Sequence, residues 1–255
     1  MKKSTATAIC GKGGVGKTSF TALMVNVLAA RKDKRMLVID ADPACGLATS
    51  LGVTVQKTID DIRKNVIHST SNGRKGSRAE VLRMIEYELF SALAEEGNLA
   101  LLAIGRPEDA GCYCRVNDLL KDIIADLVGN FELVIIDGEA GTEQINRRVM
   151  KTVDNLVVVS DMSKKAMDVA KMIHHVAVDN RAVDTIRMGL VLNRARSDRE
   201  AEKRAGESPL ELLGWIPEDE TVRDYDFHGR SFFDFPDSAP SMKSVMQIAD
   251  KLRFS

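Results

Sequence analysis

Cys10-Gly11-Lys12-Gly13-Gly14-Val15-Gly16-Lys17-Thr18 stands between an apolar run, Thr5 to Cys10, and a segment of helical periodicity, Ser19 to Arg31. Its spacing, G-x-x-x-x-G-K-T, reads as a phosphate cradle. Glycines can take the positive-φ conformations that turn several backbone N–H groups toward phosphate oxygens. Lys17 then reaches the β- and γ-phosphates and Thr18 ligates Mg²⁺, while the positive end of the following helix faces the same anion. The expected nucleotide-binding set is Gly11, Lys12, Gly13, Gly14, Val15, Gly16, Lys17, Thr18 and Ser19. Gly11, Gly13 and Gly16 also satisfy G-x-G-x-x-G, the dinucleotide fingerprint, with Asp40 as a downstream acid. That motif needs no lysine and hydroxyl after its last glycine, whereas Lys17-Thr18 are what a nucleoside triphosphate with Mg²⁺ requires.

Outward from this loop, strand-length apolar runs alternate with helix-patterned segments. The runs are Thr5 to Cys10, Met36 to Asp40, Leu99 to Ile104, Leu133 to Asp137, Leu156 to Ser160, Met188 to Asn193 and Leu212 to Ile216. This predicts an α/β fold: a mostly parallel sheet flanked by helices on both faces, a P-loop NTPase in one domain over 1–255. Right-handed crossovers bring the strands' carboxyl ends to one edge, where ligands bind in open sheets. Residues Gln56 to Gly76 are polar and weakly periodic, which predicts a mobile insertion. Ser77 to Glu96 reads as a helix with Val81, Leu82, Ile85, Leu89, Phe90 and Leu93 on its packed face.

Acids and an amide fall at the predicted edge. Asp40-Ala41-Asp42-Pro43 closes the second run, and alternation along an extended chain turns Asp40 and Asp42 to one side, one toward Mg²⁺ and its waters and one toward the attacking water. Asp137 ends another apolar run before Gly138-Glu139-Ala140-Gly141, as expected of a carboxylate that holds Mg²⁺ through water. Asn193 suits the edge of adenine. Arg196 stands where a guanine-selective N-K-x-D motif needs an acid, so ATP or ADP is favoured over the guanine nucleotides.

Cys112-Tyr113-Cys114 supplies two of the chain's four cysteines. Thiols at i and i+2 can point the same way and suit Ni²⁺, Zn²⁺ or an iron–sulfur cluster, but two ligands rarely complete such a site, and a two-fold dimer supplies four. Buried apolar thiols and a strained redox pair are the other readings of this spacing. Net charge is −1, which gives no nucleic-acid footprint. No run approaches the roughly 18 apolar residues of a spanning helix. The expectation is a cytoplasmic protein with no stable membrane insertion.

With its additional Lys12, the loop resembles the deviant phosphate loop of the MinD/ParA and nitrogenase iron-protein class of dimeric ATPases. The resemblance implies that Lys12 reaches the partner subunit's nucleotide, that Lys12, Lys17 and Asp42 act in hydrolysis, and that dimerisation depends on nucleotide. Asp40 to Pro43 resembles the class's first switch and Asp137 to Gly141 its second. Cys112-Tyr113-Cys114-Arg115 with Asn117, and Glu139-Ala140-Gly141-Thr142-Glu143 with Arg147, are similar to the CooC family, ATPases that help insert nickel into carbon monoxide dehydrogenase. This implies a metal or cluster held by Cys112 and Cys114 of each subunit in a nucleotide- and metal-dependent homodimer, with a client metalloenzyme. An iron–sulfur or other cofactor-assembly ATPase, or a metal-free regulator of the ParA or MinD kind, are the alternatives.

Overall fold

The computed structural model describes residues 4–71, 78–106, 114–138, 152–179 and 184–252. Eight strands form one sheet: β1 (Thr5–Cys10), β2 (Met36–Asp40), β3 (Ala94–Glu96), β4 (Leu99–Ala103), β5 (Leu133–Asp137), β6 (Thr152–Asp161), β7 (Asp184–Ala195) and β8 (Glu211–Pro217). Their spatial order is β3-β4-β2-β5-β1-β6-β7-β8. Every pairing is parallel except β3 with β4.

The strands read as continuous apolar runs because both faces are covered. Ala8 and Cys10 of β1, Leu37 and Ile39 of β2, and Val134 and Ile136 of β5 enter one core. Ile9, Met36, Val38, Leu133 and Ile135, their alternates, enter the other. The first core is covered by α3 (Ile59–Ser71), α4 (Arg78–Ala92), α5 (Cys114–Val128), α6 (Lys164–Asp179) and α7 (Asp198–Ala205). The second is covered by α1 (Lys17–Ala29), α2 (Gly46–Leu51) and α9 (Pro240–Lys251), with α8 (Glu220–His228) and the short 3-10 turn Phe232–Asp234 alongside.

Three local expectations change. Thirteen residues within the segment read as an insertion form α3. Ile59, Ile62 and Val66 are buried at helical spacing. Thr58 caps the helix, its hydroxyl accepting from Asp61 N while Asp61 Oδ2 accepts from Thr58 N, a reciprocal box. Two of the polar residues that disguise the period are themselves buried, Asp60 accepting from Arg63 Nε at 2.9 Å, and the half-buried Lys64 pairs with Asp60 at 3.1 Å. The helix expected over Ser77 to Glu96 ends at Ala92, and the chain turns into β3, antiparallel to β4. On α4, Ile85 and Leu89 are buried, but Phe90 is 64% exposed because it lies one residue, about 100° of helix rotation, past the buried stripe.

Candidate functional site

The loop Gly11 to Gly16 joins β1 to α1 at the carboxyl edge of the sheet. Three of its glycines have positive φ: Gly11 at 148°, Gly14 at 81° and Gly16 at 90°. Two are also required by contact. A Cβ on Gly11 would lie 2.1 Å from the Val159 carbonyl oxygen, and one on Gly16 would lie 2.3 Å from Asn193 Nδ2. Gly16 caps α1 without any side-chain hydrogen bond, and no acid occupies the first turn. The first-turn N–H groups therefore face the loop, as an anion site needs. Lys17 is buried to 9% exposure, and its Nζ donates to Lys12 O at 3.3 Å, inside the loop. Lys12 is partly exposed, its Nζ on Gly13 O at 3.3 Å.

Thr18 Oγ1 donates to Asp137 Oδ2 at 3.0 Å, which brings the expected Mg²⁺-ligating hydroxyl against the expected water-holding carboxylate. Thr21, one turn further along α1, donates to the other oxygen at 2.9 Å. Sequence reading passed over Thr21, although its spacing of three from Thr18 puts both hydroxyls on one helix face. Asp40 and Asp137 are register partners on β2 and β5. Asp137 is pushed up to about 7, first by burial and then by the Asp40 charge, against the pull of the two threonines and Lys17. Burial also pushes Asp40 up to about 6.

The two acids that follow one another at the end of β2 accept from different backbone N–H groups. Asp40 Oδ2 accepts from Leu47 N and Ala48 N at the start of α2, and Oδ1 from Asp42 N. Asp42 is half-buried, and its Oδ1 accepts from Ala44 N at 2.8 Å, closing a turn. Asn193 Nδ2 donates to Val15 O at 2.8 Å, and its Oδ1 accepts from Arg194 N. One amide hydrogen and one lone pair remain for a base edge. Ser19 Oγ donates to Asp226 Oδ2 on α8 at 3.2 Å. A cleft opens beside Asn193, lined among others by Gly16, Phe20, Ile216, Pro217, Val222 and Asp226. Apart from Phe20 and Leu23 of α1, its apolar walls and acidic side groups were not foreseen, because they come from β8, α8 and the turn between them, some 200 residues beyond the loop.

Cys112 and the second-switch residues Glu139 to Gly141 lie outside the described residues. Cys114 opens α5, after β4 has ended at Ala103. Among the described residues no three of His, Cys, Asp and Glu converge as a metal site. No described helix is long and apolar enough to cross a membrane.

The profile of the CobQ/CobB/MinD/ParA nucleotide binding domain matches residues 6–232. The chain belongs to that family. Its membership and the loop geometry make it a P-loop ATPase with the MinD/ParA fold. It is 36% identical over 247 residues to an uncharacterized ATP-binding protein of Methanocaldococcus jannaschii, covering 96% of this chain and 97% of the relative. It is 27% identical over 246 residues to the carbon monoxide dehydrogenase accessory protein CooC of Rhodospirillum rubrum, covering 89% of each. The septum site-determining protein MinD of Pyrococcus horikoshii, solved with Mg-ADP, superposes with a TM-score of 0.69 at 20% identity, covering 98% of this chain and 96% of that one.

Proposed function

We propose that this ATPase works as a nucleotide-gated homodimer that carries a soft metal ion to a client metalloenzyme, with nickel insertion into carbon monoxide dehydrogenase as the favoured task. One observation carries this reading: a complete phosphate loop and a C-x-C pair, Cys112 and Cys114, in the same chain, the pair lying in sequence between β4 and the body of α5. The similarity to CooC along 89% of both chains supports it. ATP or ADP is the nucleotide, and the donor set fits Mg²⁺: Thr18 as direct ligand, Asp137 and Asp40 through water. The ion supplies charge neutralisation at the phosphate oxygens. Lys17, and Lys12 of the partner subunit, balance charge that develops on the transferred phosphoryl group, and Asp42 orients the attacking water. Closure of two subunits brings Cys112 and Cys114 of each around the cargo, and hydrolysis releases it.

A second cargo has its own support. The chain is 23% identical over 274 residues to a relative from Caenorhabditis briggsae described as a cytosolic Fe-S cluster assembly factor NUBP1 homolog. One experiment separates the readings: metal and acid-labile sulfide analysis of anaerobically purified protein, with mass by light scattering in ADP and ATP. About one Ni²⁺ or Zn²⁺ per dimer, lost in Cys112→Ser/Cys114→Ser, supports the metallochaperone. Stoichiometric sulfide moves the cargo to a cluster. Metal-free protein that dimerises equally well without those thiols overturns both and leaves a regulatory ATPase.

A further inference from the structure

The sheet ends differently at its two borders. β3 is three residues long and carries two exposed glutamates, which discourage pairing with another chain. β8 runs for seven residues, pairs with β7 on one side and has no described strand on the other. Between Glu211 and Pro217 it carries no charge, and its guards are a bulge at Leu213 and the closing proline. Its outer row of N–H and C=O groups is open to pairing.

That border forms the floor of a groove of about 260 Å³. The floor is Leu212 to Trp215 in unbroken succession, so the groove follows the edge of the strand and not one of its faces. Its walls come from opposite sides of the sheet: Asp198 and Glu202, one turn apart on α7, and a stripe of α9 that includes Gln247, Ile248 and Lys251. No residue of this groove lines the cleft beside the phosphate loop. A Cβ on Gly214 would lie 2.6 Å from Ile248 Cγ1, so the glycine lets α9 come this close to the strand. Both helices overhang the border. Two copies brought edge to edge would meet helix against helix before their strands reached the roughly 4.8 Å of sheet pairing, whereas one extended chain fits between the walls.

Charge selects that chain. Asp198 Oδ1 accepts from Trp215 Nε1 at 2.6 Å, which holds the half-buried indole under α7. Glu202 is exposed, and its carboxylate has no partner among the described residues. Across the groove Lys251 stands near Glu211, which also holds Arg187 at 2.7 Å. The α7 wall is acidic, and the side chains of an added strand would alternate between the two walls.

We propose that β8 is a docking edge for an extended segment of a partner protein with basic residues at alternate positions, its backbone adding a strand to the sheet and its basic side chains meeting Asp198 and Glu202. Main-chain bonds to the edge give the affinity, and the acidic wall fixes the register. Trp215 is the chain's single tryptophan, so its emission reads occupancy of this groove. The probe is a blocked octapeptide of alternating lysine and valine, titrated into nucleotide-free protein. Its controls are the same peptide with every backbone nitrogen methylated, and an octapeptide of alternating glutamate and valine. The lysine peptide should shift Trp215 emission saturably. The methylated peptide should bind at least about tenfold more weakly, because its main chain cannot donate, and the glutamate peptide should not bind measurably. Glu202→Lys, at an exposed position, should melt with wild type and bind the lysine peptide about fivefold more weakly. Equal affinity for the methylated peptide would reduce the contact to charge attraction and overturn the proposal. Equal affinity for the glutamate peptide, wild-type affinity in Glu202→Lys, or an emission that no peptide moves would overturn it too. Nucleotide-free protein whose mass doubles in light scattering while Trp215 emission changes with its own concentration would seat a second copy on the edge, and the proposal would fall. Nucleotide and the C-x-C thiols take no part, so none of these outcomes bears on the ATPase or its cargo.

Discussion

Replacing Asp137 by Asn in nucleotide-free protein should change how stability depends on pH. The carboxyl is 1% exposed and lies beside Asp40, and burial with that neighbouring charge raises it from 3.8 to about 7. A raised carboxyl binds its proton more tightly folded than unfolded. The folded state therefore holds more protons between about pH 4 and pH 7, and stability falls as pH climbs through that window. A shift of about three units corresponds to roughly 4 kcal/mol once both states are ionised. About pH 5 to pH 8 spans roughly 3 kcal/mol of it. Urea unfolding of wild type and Asp137→Asn at several pH values reads the difference directly. The asparagine variant should gain on wild type steadily as pH rises and level off above about pH 7. Loss of the charge-assisted bonds from Thr18 and Thr21 adds an offset with little slope, so the slope is the diagnostic quantity. Parallel pH profiles would refute the claim that a buried, like-charged carboxylate is held next to the phosphate loop.

Three further substitutions test the loop and the first switch. Lys17→Ala removes the buried ammonium and should reduce ATP turnover by roughly a hundredfold or more, measured as phosphate release; full activity would sink its role. Asp42→Ala should bind ATP and remain dimeric by light scattering with hydrolysis nearly abolished, whereas normal turnover would remove Asp42 from the mechanism. Gly11→Ala drives a methyl against the Val159 carbonyl of a central strand that cannot retreat. With the positive φ added, it should cost roughly 2–4 kcal/mol of stability in chemical denaturation.

Much of the fold was legible because its strands are buried on both faces and so carry unbroken apolar runs, as Leu133-Val134-Ile135-Ile136 does. The phosphate loop was legible because cradling an anion requires glycines at fixed spacing, and the positive φ values of Gly11, Gly14 and Gly16 follow from that demand. The helix α3 was hidden by Asp60 and Arg63, charged residues that neutralise each other under cover at 5% and 7% exposure. A hydropathy pattern cannot tell a buried ion pair from a solvated loop. The strand β3 is three residues long with two glutamates facing outward, too short to establish an alternation. At the site, Thr18 and Asp137 could be paired in advance because a hydroxyl and a carboxylate are both oxygen donors of the kind Mg²⁺ takes. The direction Asp40 takes could not, since it depends on the N–H groups of Leu47 and Ala48 several residues further along a turn.

The strand that carries the phosphate loop has four sheet neighbours on one side and three on the other. Local openings begin at unpaired borders, so β3 and β8 fray first and the amides of β1 exchange with solvent only when the whole sheet comes apart. Changes of length around α3 or α4 therefore alter the rim of the molecule while the loop's anchorage persists. A chain of this plan can change its periphery without its nucleotide site being rebuilt.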